Sequence, residues 1–291
     1  MRQLCIALAL STAMVCHGPV EAETVVLKPT SKWHVDFGEE RCRLARTFSD
    51  GRDDHLLYFE QNYPSNAAGV TVGGRSFARF KDRAETEVQI ADGRAPLKTL
   101  PHKGELDRNR SALIYANLNL ALDAQPENLR GLGPAVPRLN TAFADTVAYL
   151  SFRQREREVR FDTGPLGSAF KILNQCSESF LEFWGLDVEQ HRGARRLPRW
   201  INDEEVERKI VKRYPAAALI ASQGGITRMR VIVDERGMPE SCVIEKSTTA
   251  DSLKSPACQI MMKDARFEPA VDAGGKPMRS FFATTLTYQM R

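Results

Sequence analysis

Beyond its first residues the chain offers no hydrophobic run of the ~20 residues that a membrane-spanning helix needs. It has no long low-complexity tract. It has no Cys-x-x-Cys either, which removes the thiol redox motif and the zinc ribbon. His34, His55, His102 and His191 are scattered without ligand spacing, so they predict surface or loop positions, no metal site and no cofactor. A dominant charge is also missing. The 41 Lys and Arg stand against 37 Asp and Glu, interspersed, and a net charge of +4 is too small to argue for nucleic acid. What is present is an ordinary globular composition, 42% apolar and 27% charged, over 291 residues, enough for two domains.

The first residues form a separate unit. Arg2 precedes a short apolar run over 4–16, and Val20-Glu21-Ala22 places small residues where a signal peptidase reads. This is the pattern of a secretory leader over 1–22, cut after Ala22. The mature chain is then expected in a bacterial periplasm. Inner-membrane anchoring is the weaker alternative, as is a lipoprotein at Cys16, where Met14-Val15 makes a poor lipobox. Loss of Cys5 and Cys16 with the leader leaves four cysteines, which suggest two disulfides and allow three pairings.

Residues 23–190 read as one mixed, β-rich domain. Strand-like runs at 33–37, 41–48, 55–60, 76–80 and 85–90 are separated by Gly, Asp and Pro. The segment 112–122 alternates, with Ile114, Ala116, Leu118, Leu120 and Leu122 on one face; it predicts a strand, with a helix as the alternative. A hairpin is expected from 147–152 and 158–162. A closing helix follows, since Ala169, Ile172, Leu173, Cys176, Phe180 and Phe183 recur at three- and four-residue spacing before Gly185. Gly193 and Pro198 mark a linker over 191–203, and its arginine run reads as a solvated loop.

Residues 204–291 read as a small α+β domain with a three-stranded antiparallel sheet and two helices. Asp203 can cap a helix that begins with Glu204, Glu205 and Glu207 and ends with Lys209, Lys212 and Arg213, an order that complements the helix dipole. Tyr214-Pro215 breaks it, and 216–223 resumes as a short helix. Strand 226–233 alternates, with Met229, Val231 and Val233 inward and Arg228 and Arg230 outward. A turn at 234–237 with Gly237 leads to a return strand over 240–246. Ser255 and Pro256 open a helix over 257–265, and the last strand is expected over 278–288.

These residues, in this order and spacing, resemble the C-terminal domain of TonB. The resemblance rests on Tyr214-Pro215 with Ala218, Gly224-Gly225-Ile226, 230–233, Gly237, Val243-Ile244, Ser247, Leu253, Met261-Met262 and the signature Arg266-Phe267-Glu268-Pro269. It implies a periplasmic protein that contacts an outer-membrane TonB-dependent transporter or another envelope protein, in support of transmembrane transport and without an enzymatic role or a small-molecule cofactor. It is similar to exported energy-transducer relatives in which paired cysteines decorate this domain. The long Pro-rich spacer of TonB is replaced by a folded domain, and Lys212-Arg213 stand where the family has Gln-Pro.

A three-stranded sheet that ends on its terminal strand exposes an edge, and an edge can take up a partner strand. Phe281, Ala283, Thr285 and Thr287 are the outward positions expected to meet that partner, with Met278, Phe282, Leu286 and Tyr288 facing the helices. The alternative is an edge covered by the first domain, the linker or a second copy of the chain, a homodimer in that case. The disulfides are expected to be local to each domain: Cys42 on an early strand with Cys176 on the closing helix, and Cys242 with Cys258. Asp162-Thr163-Gly164 matches an aspartic-protease tripeptide, but the chemistry needs two such loops, and the other candidate, around Asp36, lacks the hydroxyl residue. A hydrolase in 23–190 and an accessory envelope protein without energy transduction remain as alternative functions.

Overall fold

A computed structural model describes residues 23–106, 110–120, 136–216, 220, 225–246 and 256–288. The first domain holds strands β1 (Glu23–Pro29), β2 (His34–Phe37), β3 (Cys42–Ser49), β4 (Asp54–Gln61), β5 (Ala68–Gly73), β6 (Thr86–Gln89), β7 (Leu97–Thr99), β8 (His102–Leu106) and β9 (Arg110–Leu118). The short helix α1 (Thr141–Ala144), the hairpin β10 (Leu150–Gln154) and β11 (Arg157–Phe161), and the long helix α2 (Gly167–Phe183) complete it. The strands form one sheet in the order β7-β6-β10-β11-β1-β3-β4-β5-β9-β8, with β2 also on β3. Its two end strands, β7 and β8, are chain neighbours, so the sheet curls back on itself around a single core. That core gathers Phe48, Phe59, Phe152 and Phe161 from around the sheet, Phe77 from the turn after β5, and Phe170, Leu173 and Cys176 from α2. The Cys42–Cys176 disulfide ties β3 to α2 across 134 residues of sequence.

Two expectations for this domain fail for identifiable reasons. The run expected as a strand at 76–80 is a 3-10 turn, Arg75–Phe77. Phe77 and Phe80 lie three apart and pack 5.2 Å from each other, a helical spacing rather than an alternating one. The histidines are not all on the surface: His55 and His191 are fully buried, and each ring nitrogen has a hydrogen-bond partner.

The chain then passes through α3 (Val188–Arg192) and β12 (Arg199–Trp200) into α4 (Asp203–Lys212). The stretch expected as a free linker is woven into the second domain. Arg199 and Trp200 pair with Glu268 and Phe267, and Arg196 bridges to Val271. The arginine run is likewise not simply solvated: Arg192 pairs with Glu178 and Glu189, and Arg196 with Glu268. The second domain contains β13 (Gly225–Val233), β14 (Pro239–Lys246), α5 (Ala257–Asp264) and then β15 (Phe267–Glu268), β16 (Ala270–Val271), β17 (Pro277–Met278) and β18 (Ser280–Tyr288). Its sheet is three-stranded and antiparallel, in the order β14-β13-β18. Of the expected helix at 216–223, only positions 216 and 220 are described; Ser247, Leu253 and Ser255 lie outside the described residues. Met229, Val231 and Val233 of the sheet pack with Val206 and Ile210 of α4 and Ile260 and Met261 of α5, closed by the Cys242–Cys258 disulfide between β14 and α5.

Met278 does not open the last strand. It sits in the separate two-stranded β16–β17 pair, packed with Ala194 and Ala270, and β18 begins at Ser280.

Candidate functional site

The signature around Phe267 is held by backbone contact. Gly237 has φ +79, and a Cβ added to it would fall 1.9 Å from the Phe267 carbonyl oxygen. The Phe267 N–H donates to the Gly237 carbonyl at 2.9 Å. Glycine is therefore required twice, for its left-handed backbone and for the close approach. The Phe267 ring then packs on Trp200 and Phe282, 6.2 and 5.2 Å away. Arg266 donates to the carbonyls of Lys263 at 3.2 Å and Ala265 at 2.7 Å, beside the end of α5. Glu268 accepts from Arg196 and Arg199, and the hydrogen bond from Arg199 leads in holding its carboxyl below the usual range. The Pro269 carbonyl accepts from Arg196 at 3.0 Å. Tyr214 and Pro215 are half-buried after α4, and the Tyr214 N–H donates to the Val211 carbonyl at 3.2 Å.

β18 takes an outer place in its sheet, with β13 along one side over 280–288. Its inward residues are as expected, Phe282 and Leu286 lying against the α4–α5 core. The face expected to meet solvent does not. Phe281 is 3% exposed and contacts Trp184 of the first domain at 5.2 Å between ring centroids. Ala283 packs in the same seam, with Leu181, Leu186 and Ile232. The Thr285 hydroxyl hydrogen-bonds the Tyr63 hydroxyl at 3.1 Å. Thr287 pairs with Ile226 through the backbone ladder.

On β13 the two outward arginines are covered too, Arg228 fully and Arg230 in part. Arg228 meets Glu60 of β4 at 3.2 Å, with side-chain exposures of 8% and 10%. Glu60 also holds Arg43 at 2.6 Å. Gly69 makes room for this contact, since a Cβ there would lie 2.8 Å from Arg228 Nη2. Arg230 lies over the Trp184 ring at 4.5 Å. The outer face of the small sheet is thus the docking face for the first domain. One sign of this was present in the sequence: Ile232 and Phe281, directly opposed in the ladder, are too large and apolar for a wet face.

The free side of β18 is different. A groove of about 550 Å³ runs along it, lined by residues 281–285 on one side. The loop 63–66, the β7–β8 junction at Thr99, Leu100 and His102, and Ala116 and Asn117 at the end of β9 form the opposite wall, with Pro137, Leu197 and Pro198 at the rim. Among the described residues, its lining contains no Asp, Glu, Lys or Arg.

The protease-like Asp162 is engaged in ion pairs with Lys28 at 2.5 Å and Arg160 at 2.9 Å. Burial pushes its carboxyl up, but these two cations outweigh that and hold it low. Asp36 lies opposite Arg43 in the β2–β3 ladder, and no pairing brings it to Asp162. Among the described residues, no three His, Cys, Asp or Glu side chains gather as a metal site, and no helix is long and apolar enough to cross a membrane.

Residues 211–290 match the family described as Gram-negative bacterial TonB protein C-terminal. The match covers the C-terminal third and shows the resemblance read from Tyr214 to Pro269. No curated protein matches the chain, and no solved structure does.

Proposed function

We propose that this is an exported envelope protein whose TonB-like domain recruits an extended segment of an outer-membrane transporter by adding it as a strand to β18. One observation carries the reading: β18 is the outer strand of its sheet, and its far side opens on a groove rather than on packed protein. An edge strand presents backbone N–H and C=O groups in register for an incoming chain, and backbone bonds of that kind give affinity without a fixed side-chain sequence. Phe281, Ala283, Thr285 and Thr287 would lie beside the incoming strand, although the first domain covers the face that carries the first three.

The alternation of antiparallel pairing supplies the test. Residues whose N–H bonds β13 alternate with residues whose N–H points to the free side. Proline placed in turn at 283, 284 and 285, which carry no ring of the α4–α5 core, should therefore separate into two classes. At β13-bonded positions it should destabilise the domain. At the others it should leave the melting temperature nearly unchanged and abolish binding of the purified transporter. Folded proline variants that all bind like the parent would place the partner surface elsewhere.

A second reading, an envelope interaction protein that docks without transmitting force, is favoured by the buried Arg228–Glu60 contact. It fixes the first domain on the sheet where TonB has a spacer. Binding of the transporter with no change in ligand uptake on deletion of the protein from the envelope would select it.

A further inference from the structure

We propose that the first domain is the second wall of the peptide site and selects an uncharged, extended polypeptide stretch about five residues long. This rests on the strand-addition reading and adds to it a role for residues 23–190.

The length follows from β18. Five of its residues, 281–285, line the groove. At ~3.3–3.4 Å per residue, a matching strand needs about five residues, or ~17 Å. The division of labour follows from the walls. Pro64 and Pro137 on that wall carry no N–H and offer an incoming chain no backbone donor, whereas β18 offers an open strand edge. Backbone recognition falls to β18, and the first domain meets side chains. Because alternate side chains of a strand point to opposite faces, every second residue of the guest faces the first domain and the intervening ones face the α4–α5 side.

The exclusion of charge follows from what the groove lacks. Leu100, Leu197, Phe281 and Phe282 supply apolar surface, and Tyr63, Asn66, Asn117 and Thr284 supply hydroxyl and amide groups. Among the described lining residues His102 is the one potentially cationic side chain, and burial favours its neutral form. A guest carboxylate or ammonium would lose water without gaining a counter-charge, which is unfavourable. A guest with small, apolar or amide and hydroxyl side chains loses nothing comparable.

The wall can be given a charge without touching β18. Leu100 is 47% exposed and Asn117 is exposed, so Leu100→Glu and Asn117→Lys should fold. The experiment pans a display library of random nonapeptides on the full mature chain, on each wall variant, and on an edge-proline variant shown to fold. The parent should enrich peptides with a five-residue stretch depleted of Asp, Glu, Lys and Arg. Leu100→Glu should enrich Lys or Arg within that stretch by about tenfold, and Asn117→Lys should enrich Asp or Glu similarly. Identical peptide sets from the parent and both wall variants, with loss of binding in the edge-proline variant, would overturn the wall and leave strand addition standing. No enrichment by the parent would remove strand addition and the wall together. Charged residues throughout the parent's selected stretch would overturn the wall alone.

Discussion

Arg228 and Glu60 meet at 3.2 Å across the two domains, each nearly closed off from water. Glu60 is shared with Arg43, whereas Arg228 has Glu60 as its carboxylate. The two partners are therefore unequal. Glu60→Gln leaves two guanidinium groups facing an amide and should cost about 3–5 kcal/mol, the range for an uncompensated buried charge. Arg228→Met leaves Glu60 still paired with Arg43 and should cost clearly less. Urea unfolding followed by Trp fluorescence, with Trp184 at the seam, reads both. Equal costs would mean that Arg43 does not support Glu60.

Gly237 and Gly51 both have positive φ, +79 and +90, but only Gly237 is crowded; a Cβ at Gly51 meets nothing within 4 Å. Left-handed backbone costs an L-residue about 1–2 kcal/mol. Gly51→Ala should lose about that much. Gly237→Ala should lose more, because the Phe267 carbonyl must also move. Melting temperatures of the two variants decide this, and a Gly237→Ala variant no less stable than Gly51→Ala would contradict the close approach.

What could be read in the sequence was set by alternation. β3, β11 and the first part of β4 bury alternate residues against one core, and their runs at 41–48, 158–162 and 55–60 carry that pattern. β5 went unseen because every residue of Ala68–Gly73 is buried, so no polar face marks it. Motif residues such as Gly237 and Phe267 were legible from their spacing in the chain. The domain seam was not. Arg228 and Arg230 look like a wet face until Glu60 and Trp184, 168 and 46 residues away along the chain, are known to cover them. Charge patterning reports which residues need polar company, and solvent is only one source of it.

His55 and His191 predict a pH dependence. Each donates from Nδ1 to a carbonyl, of Asp53 at 3.1 Å and Asp187 at 2.6 Å, which leaves Nε2 to accept from a serine hydroxyl at 2.9 Å. For His55 the Ser76 backbone N–H also points at Nε2, at 3.3 Å, so protonation would set donor against donor. Burial lowers both pKa values, against the pull of Asp50, Asp53 and Asp54 around His55 and of Asp187 around His191, where Arg279 adds to the lowering. A folded pKa below the unfolded value of about 6.5 means that the unfolded chain binds more protons in acid. The stability is therefore full above pH ~6.5 and falls as pH drops from there toward the folded values. NMR titration of the imidazoles should give both midpoints below 6.5. A midpoint at or above 6.5 for either would contradict its buried, neutral state.

The two disulfides should differ in weight. Cys42–Cys176 closes 134 residues and Cys242–Cys258 closes 16. In the chain-entropy account these loops correspond to about 5 and about 3 kcal/mol. The longer bridge also joins β3 to α2 inside the main core, with both sulfurs buried, whereas Cys242 and Cys258 are only partly buried at the margin of the smaller one. Reductant should therefore reach Cys242–Cys258 first and leave Cys42–Cys176 intact until the first domain opens. Replacing Cys42 and Cys176 together by Ser should lower the first domain's unfolding midpoint by more than the equivalent change at Cys242 and Cys258 lowers that of the second. Differential alkylation under rising dithiothreitol, read by peptide mass, follows both bridges in one sample. Release of Cys42 and Cys176 before Cys242 and Cys258 would contradict the burial order, and a peptide joining Cys42 to either cysteine of the second domain would contradict the pairing itself.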